Sequence, residues 1–298
     1  MKTVKEYLDT LKSEIAGCDP ATIQDALSDA EEHLRTALES MLKDNPKVLE
    51  EDVISQIIEK YGTPKEIAGV YKEYETKITL PFAKPEKSTQ RSSTARFFRI
   101  YADPVAWGAL LYLMISLITG TIYFSWTVMG ISTSASLLLL LIGPPVAILF
   151  LASIRGLAFL EGRLVEALIG ERMPRRARFV GEKTGWWKRV KALLVDRTTW
   201  TAIIYMLLKL PLGIIYFTVF TIFISFSIVG IIAPITTLIL GFPIIMAGPV
   251  EIFSPVWLAL LMMLVGILMF TLMLHFAKLL GRGHAKFAKI MLIADAKK

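Results

Sequence analysis

The chain has 298 residues, 54% of them hydrophobic, with a mean hydropathy of +0.55 and a formal net charge of +7. That apolar content excludes an ordinary soluble globule. The charge averages two unlike parts: residues 1–75 carry 9 Lys/Arg against 17 Asp/Glu, and residues 76–298 carry 24 against 9, so an acidic domain and a basic one are expected in different surroundings.

The lone cysteine, Cys18, excludes an internal disulfide. Residues 1–75 are polar and amphipathic and carry no signal-peptide pattern, so the N-terminus is expected in the cytoplasm of a prokaryotic cell. Four short helices are expected there. Thr3 and Glu6 form a capping box before Val4, Leu8 and Leu11, and Gly17 ends that helix. Asp19 and Pro20 open a second helix, whose buried stripe is Ile23, Leu27, Ala30, Leu34, Leu38 and Met41. Asn45 and Pro46 break the chain, and a third helix carries Val53, Ile54, Ile57, Ile58 and Tyr61 up to Gly62. Thr63, Pro64 and Glu66 then start a fourth, which carries Ile67, Val70 and Tyr71.

Particular residues add a resemblance. Tyr7-Leu8 with Leu11, the run Asp29-Ala30-Glu31-Glu32-His33-Leu34, and Tyr61-Gly62-Thr63-Pro64-Lys65-Glu66-Ile67-Ala68 resemble the HAAS-type signalling domain over about 70 residues. The resemblance implies a small helical module that works with a cytosolic protein partner, often a PadR-like regulator. Glu31, Glu32 and His33 read as a solvated helix face. No second His or Cys stands at ligand spacing, so neither a metal nor a cofactor is expected.

Residues 76–99, with Pro81, Pro85, several serines and several Lys and Arg, read as a flexible basic tether beside anionic headgroups. Beyond it, Arg99 to Arg155 and Lys209 to Lys278 enclose no Lys or Arg, whereas 155–199 holds eleven basic residues against five acidic ones. Basic loops stay on the cytoplasmic side, so an even number of spans is expected on each side of the connector 157–199, with both termini inside an inner membrane.

Residues 103–132 align with 196–225 at a shift of 93, with 11 identities in 30 positions. The matches include Asp103/Asp196, Trp107/Trp200, Tyr112/Tyr205, Gly120/Gly213 and Tyr123-Phe124/Tyr216-Phe217. The expected fold class is therefore all-α: a small helical domain plus a polytopic membrane domain (100–298) built as a parallel tandem repeat of two-span hairpins. Spans are placed near 104–128, 134–156, 200–226 and 254–278. Gly230, Pro234, Gly241, Pro243, Gly248 and Pro249 are taken to interrupt the third apolar run, leaving 227–253 as a re-entrant segment, an interfacial one or an extra span.

This region resembles the sensor domain family, multi-span domains sometimes fused to histidine kinases. The residues that carry the match are Tyr112 to Phe124, Gly143-Pro144-Pro145, Leu160-Glu161-Gly162-Arg163 through Leu168-Ile169-Gly170, Asp196, Trp200, Tyr205 and Leu210-Pro211-Leu212-Gly213. No kinase segment follows, so no catalytic output is expected. No phosphate loop and no HExxH are present, and His33, His275 and His284 lie far apart in sequence.

One stripe carries the site expectation. Tyr112, Ser116, Gly120 and Tyr123 share one helix face, and the repeat puts Tyr205, Lys209, Gly213 and Tyr216 on the matching face. Gly120 and Gly213 permit close helix approach. Lys209 sits about 15 Å into its span, where a charge usually faces a bundle interior or a cavity. Two readings remain: a polar pocket or seam between the halves for an anionic or lipid-like ligand, or a lysine that snorkels to the headgroups beside packing tyrosines. Asp103 and Asp196 read as N-caps, and Trp107, Trp186, Trp187 and Trp200 as interfacial anchors. Arg163, Arg172, Arg175, Arg176, Lys188, Arg189 and Lys191 are expected along the inner leaflet, with docking of the acidic domain as the alternative. Direct nucleic-acid binding is not expected from an acidic soluble domain.

The functional expectation is a non-enzymatic membrane sensor or signalling protein. It would bind anionic lipids, reach a cytosolic partner through residues 1–75, and leave homo-oligomerisation open. The rivals are an accessory or structural subunit of a membrane complex and a small transporter.

Overall fold

The computed structural model describes residues 3–44, 50–77, 97–138, 143–175, 196–241, 245–247, 250–252 and 255–293. The expected chain break at Asn45 and Pro46, the linker segment 78–96, and Arg176, Trp186, Trp187, Lys188, Arg189, Lys191, Pro243, Gly248 and Pro249 lie outside the described residues.

The N-terminal domain consists of α1 (Val4–Glu14), α2 (Pro20–Asp44), α3 (Glu50–Tyr61) and α4 (Pro64–Lys77). Its ends are set by local chemistry. The Thr3 hydroxyl accepts from the Glu6 amide at 3.1 Å, Asp19 accepts from the Ala21 amide at 2.8 Å, and Glu66 accepts from the Thr63 amide at 2.8 Å. Those bonds to Thr63 hold the Glu66 carboxyl below its ordinary range. The apolar stripes meet in one core that includes Tyr7, Leu11, Ile23, Ala30, Leu34 and Ile54. Several HAAS-like motif residues have packing roles there. Tyr7 donates to the Gly62 carbonyl at 2.8 Å, Tyr71 donates to Asp29 at 2.9 Å, and the His33 ring stacks on Tyr61 at 4.5 Å.

A 3-10 turn (Arg99–Ala102) leads into four long apolar helices: α5 (Pro104–Leu138), α6 (Gly143–Ile169), α7 (Arg197–Leu240) and α8 (Val256–Leu292). All four are long and apolar enough to cross a membrane, as the sequence led us to expect. Many of their large apolar side chains point outward, among them Ile118, Ile215, Phe226 and Leu264, the arrangement of a bundle surrounded by lipid.

The third apolar run differs from expectation. Gly230 and Pro234 do not interrupt it, and α7 is one helix of 44 residues ending at Leu240. Gly230 lies where α8 comes closest, since a Cβ there would stand 3.2 Å from the Gly266 Cα, so its role is helix packing. Pro234 is buried within the helix, where lost backbone bonding is tolerated in a membrane bundle. After α7 comes a two-stranded antiparallel hairpin, β1 (Ile245–Ala247) and β2 (Val250–Ile252), the one departure from helix among the described residues outside loops.

The core of the bundle is the α5–α7 crossing. A Cβ on Gly120 would lie 2.7 Å from the Lys209 carbonyl oxygen and 2.9 Å from the Leu210 Cα, and one on Gly213 would meet the Ser116 carbonyl and the Leu117 Cα. The 93-residue shift carries each of these contacts onto the other. Ion pairs also hold the N-terminal ends of the two helices. Asp103, which opens α5, is bonded by Lys278 of α8, and Asp196, which opens α7, by Arg155 of α6 at 2.6 Å. Both aspartates also accept from nearby backbone amides, the capping role expected of them.

Candidate functional site

Lys209 comes from one turn above Tyr205 on α7 and projects into the centre of the bundle. Its side chain is 0% exposed, as is that of Glu161 on α6, and the ammonium donates to Glu161 Oε1 at 2.5 Å. The same oxygen accepts from Tyr205 at 2.8 Å and from Tyr112. Lys209 Nζ also donates to the Tyr112 hydroxyl at 2.5 Å and lies 4.2 Å from the centre of that ring. His284 of α8 closes the cluster. Its Nε2 is 3.0 Å from the Tyr205 hydroxyl and its Nδ1 is 3.1 Å from the Tyr216 hydroxyl. Every one of the four long helices thus contributes, and the Lys209 ammonium, one oxygen of Glu161, an imidazole and three tyrosine hydroxyls are joined away from lipid.

All eight stripe residues are buried. Tyr112, Tyr205, Lys209 and Tyr216 belong to the cluster; Ser116 lies beside it and donates to its own helix at the Tyr112 carbonyl, 2.8 Å away. The Tyr123 hydroxyl, on the same face of α5, faces Glu161 but makes no hydrogen bond of ordinary geometry. Lys209 does not snorkel, because its ammonium is engaged by Glu161 inside the bundle.

Sequence reasoning missed Glu161 and His284 as partners of Lys209. Glu161 falls in a segment read as the basic connector, yet α6 runs unbroken to Ile169. A shift of 123 residues would have found both, since it carries Arg155 onto Lys278 and Glu161 onto His284.

A second charged region lies where α6 and α8 end. Arg163 donates to Glu166 at 2.5 Å and to the Pro174 carbonyl at 2.9 Å. Arg175 donates to Glu166 at 2.9 Å, a bond that raises the guanidinium above its ordinary value, and its backbone amide donates to Asp25 of α2 at 2.7 Å. Arg172 is buried 3.9 Å from Asp25, and Lys289 donates to Asp19 at 2.6 Å and to Glu171 at 3.0 Å. Ala21 of α2 belongs to the same buried cluster as Ala285, Ala288 and Ile293. The acidic N-terminal domain therefore sits directly on the basic end of the bundle. The fit is incomplete: Thr22 Oγ1, Gln24 Oε1, Glu75 Oε2 and both Nε and Nη1 of Arg172 are buried with no hydrogen-bond partner.

These features define a class: a polytopic helical membrane protein with a polar interior and a small helical domain docked on one end. The family model described as Putative sensor matches residues 112–292, more than half of the chain, and the chain belongs to that family. Residues 6–69 match the HAAS family, which covers most of the N-terminal domain. Neither family is an enzymatic one. No curated protein and no solved structure matches the chain.

Proposed function

We propose that this chain is a membrane signalling protein in which the four-helix domain receives a stimulus and the N-terminal domain passes it to a cytosolic protein such as a PadR-like regulator. The observation that carries this reading is the way the buried cluster and the docking contacts share helices. Glu161 and the Arg172–Arg175 strap lie on one continuous stretch of chain. His284 and Lys289 lie five residues apart on α8, about 7.5 Å along the axis. A change of pairing at Glu161 or His284 shifts α6 or α8, and with them the cations that hold Asp19 and Asp25. The unpartnered atoms at this junction favour a contact that opens, since each costs about 1–3 kcal/mol while buried.

In this reading both termini face the cytoplasm of an inner membrane, with exposed Trp107 and Trp200 at the headgroups. Arg163, Arg172 and Arg175 serve the N-terminal domain before they serve anionic lipid. The two halves descend from one duplicated hairpin that paired with its copy, which accounts for contacts that obey the 93-residue shift.

The test is native mass spectrometry of the full chain purified in mild detergent, alongside Asp25→Lys. A cytosolic protein bound at fixed stoichiometry, with occupancy altered in Asp25→Lys, supports the proposal. Recovery of integral membrane subunits alone, unchanged in the variant, would show an accessory subunit instead.

A further inference from the structure

Hydroxyls inside a membrane bundle have a ready escape from desolvation: they donate to the carbonyl three or four residues back. Ser116, Thr119, Thr121, Ser153, Thr237 and Thr271 all do so. Four others do not. Tyr123, Thr127 and Ser134 on α5 and Ser227 on α7 are each more than nine-tenths buried, and their hydroxyl oxygens make no hydrogen bond of ordinary geometry.

Their placement is ordered. Tyr123, Thr127 and Ser134 continue the face that begins at Tyr112, Ser116 and Gly120. The 93-residue shift carries Ser134 onto Ser227, and both serines are buried. At the inner end of this line, Glu161 Oε2 is also unpartnered, although the other oxygen of that carboxylate accepts three donors. Where the Tyr216 hydroxyl lies 3.1 Å from His284, its counterpart at the 93-residue shift, Tyr123, faces Glu161 without a hydrogen bond of ordinary geometry.

Four buried hydroxyls on α5 and α7, with a carboxylate oxygen of α6 at their inner end, make no hydrogen bond of ordinary geometry, and such atoms are costly to leave dry in a hydrocarbon medium. We propose that the α5–α7 seam binds a file of water molecules running from Glu161 Oε2 past Tyr123 and Thr127 to Ser134 and Ser227. From Tyr123 to Ser134 this covers about 16 Å, roughly half the hydrocarbon thickness. Each hydroxyl supplies one donor and two acceptor sites, enough for a water to find the two to four partners it needs. The file leads away from the docked N-terminal domain and so brings solvent to the Glu161–Lys209 pair from the opposite end of the bundle. The groups facing Glu161 there are Lys209 and Tyr205 of α7, Tyr112 and Tyr123 of α5, and His284 of α8. The inference stands on the orphaned hydroxyls and does not depend on the signalling role.

Two measurements on the full chain in lipid nanodiscs test it. Radiolytic hydroxyl labelling modifies an interior side chain where water lies against it. Tyr123 is expected to be labelled, and Met273, fully buried on α8, is not. Thr127→Val and Ser227→Ala, which keep the side chains small, are expected to lower Tm by a few degrees by removing anchors of the file. An unlabelled Tyr123, or a rise in Tm in both variants as orphaned hydroxyls leave a dry seam, overturns the proposal.

Discussion

Replacing Lys209 by Met removes the one ammonium that faces the Glu161 carboxylate. In the native bundle that carboxylate accepts from Lys209 at 2.5 Å, from Tyr205 at 2.8 Å and from Tyr112. Lys209→Met leaves two phenols and no counter-charge. Breaking a buried pair costs about 3–5 kcal/mol, and a lone charge at the centre of a membrane helix costs about 2.5–3.5 kcal/mol on insertion scales. The ranges meet near 3 kcal/mol, which is the expected loss of stability. Adding Glu161→Gln keeps an acceptor for the tyrosines and removes the stranded charge, so the double variant is expected to recover most of that loss. The assay is equilibrium unfolding by SDS titration in mixed micelles, followed by helicity, for the native chain, both single variants and the double variant. A Lys209→Met loss below about 1 kcal/mol, the range of an exposed pair, would refute the reasoning.

Other consequences follow from the same geometry. Gly213→Ala drives a methyl into the Ser116 carbonyl, and Gly120→Ala drives one to 2.7 Å from the Lys209 carbonyl; each is expected to lower stability in the same titration by about 1–3 kcal/mol. Burial, with Glu66 second, pushes the Tyr7 phenol up to about 12. Its folded value lies above the ordinary ~10, so the stabilisation is complete below pH ~10 and fades as pH rises from there to about 12. Tyr7→Phe, which also loses the bond to the Gly62 carbonyl, should flatten alkaline unfolding of the N-terminal domain over that window. Asp25→Lys opposes Arg172 and Arg175, and limited proteolysis should then release the N-terminal domain faster than from the native chain.

The N-terminal domain was largely legible, because its caps, stops and stripes are local signals that the fold obeys. The four apolar helices, the Asp103 and Asp196 caps and the Tyr112–Lys209 stripe were legible for the same reason, aided by two segments that agree at rare residue types. The partners of Lys209 were not. Arg155 and Arg163 made α6 look like the start of a basic loop, but Arg155 is bonded to Asp196 and Arg163 to Glu166, so those charges are paired within the protein and the helix continues past Glu161. His284 was hidden by unequal spacing. It stands 123 residues after Glu161, whereas the Tyr112 and Tyr205 stripes match at a shift of 93. Pro234 misled because a proline that ends a helix in water does not end one packed within a membrane bundle. The docking of the acidic domain was visible only as two opposite charges, with nothing in the chain to choose between lipid and Asp25.

The measurement that reaches the central claim is the distance between α4 and α8 across the docked junction. Spin labels at Val70 and Ile290, both exposed, report it by pulsed electron resonance in nanodiscs, in a Cys18→Ser background. The native chain should give one narrow distance distribution, and Lys209→Met should add a longer, broader one as the N-terminal domain leaves Arg172 and Lys289. An identical narrow distribution in a folded Lys209→Met chain would contradict the coupling of the buried pair to the docked domain.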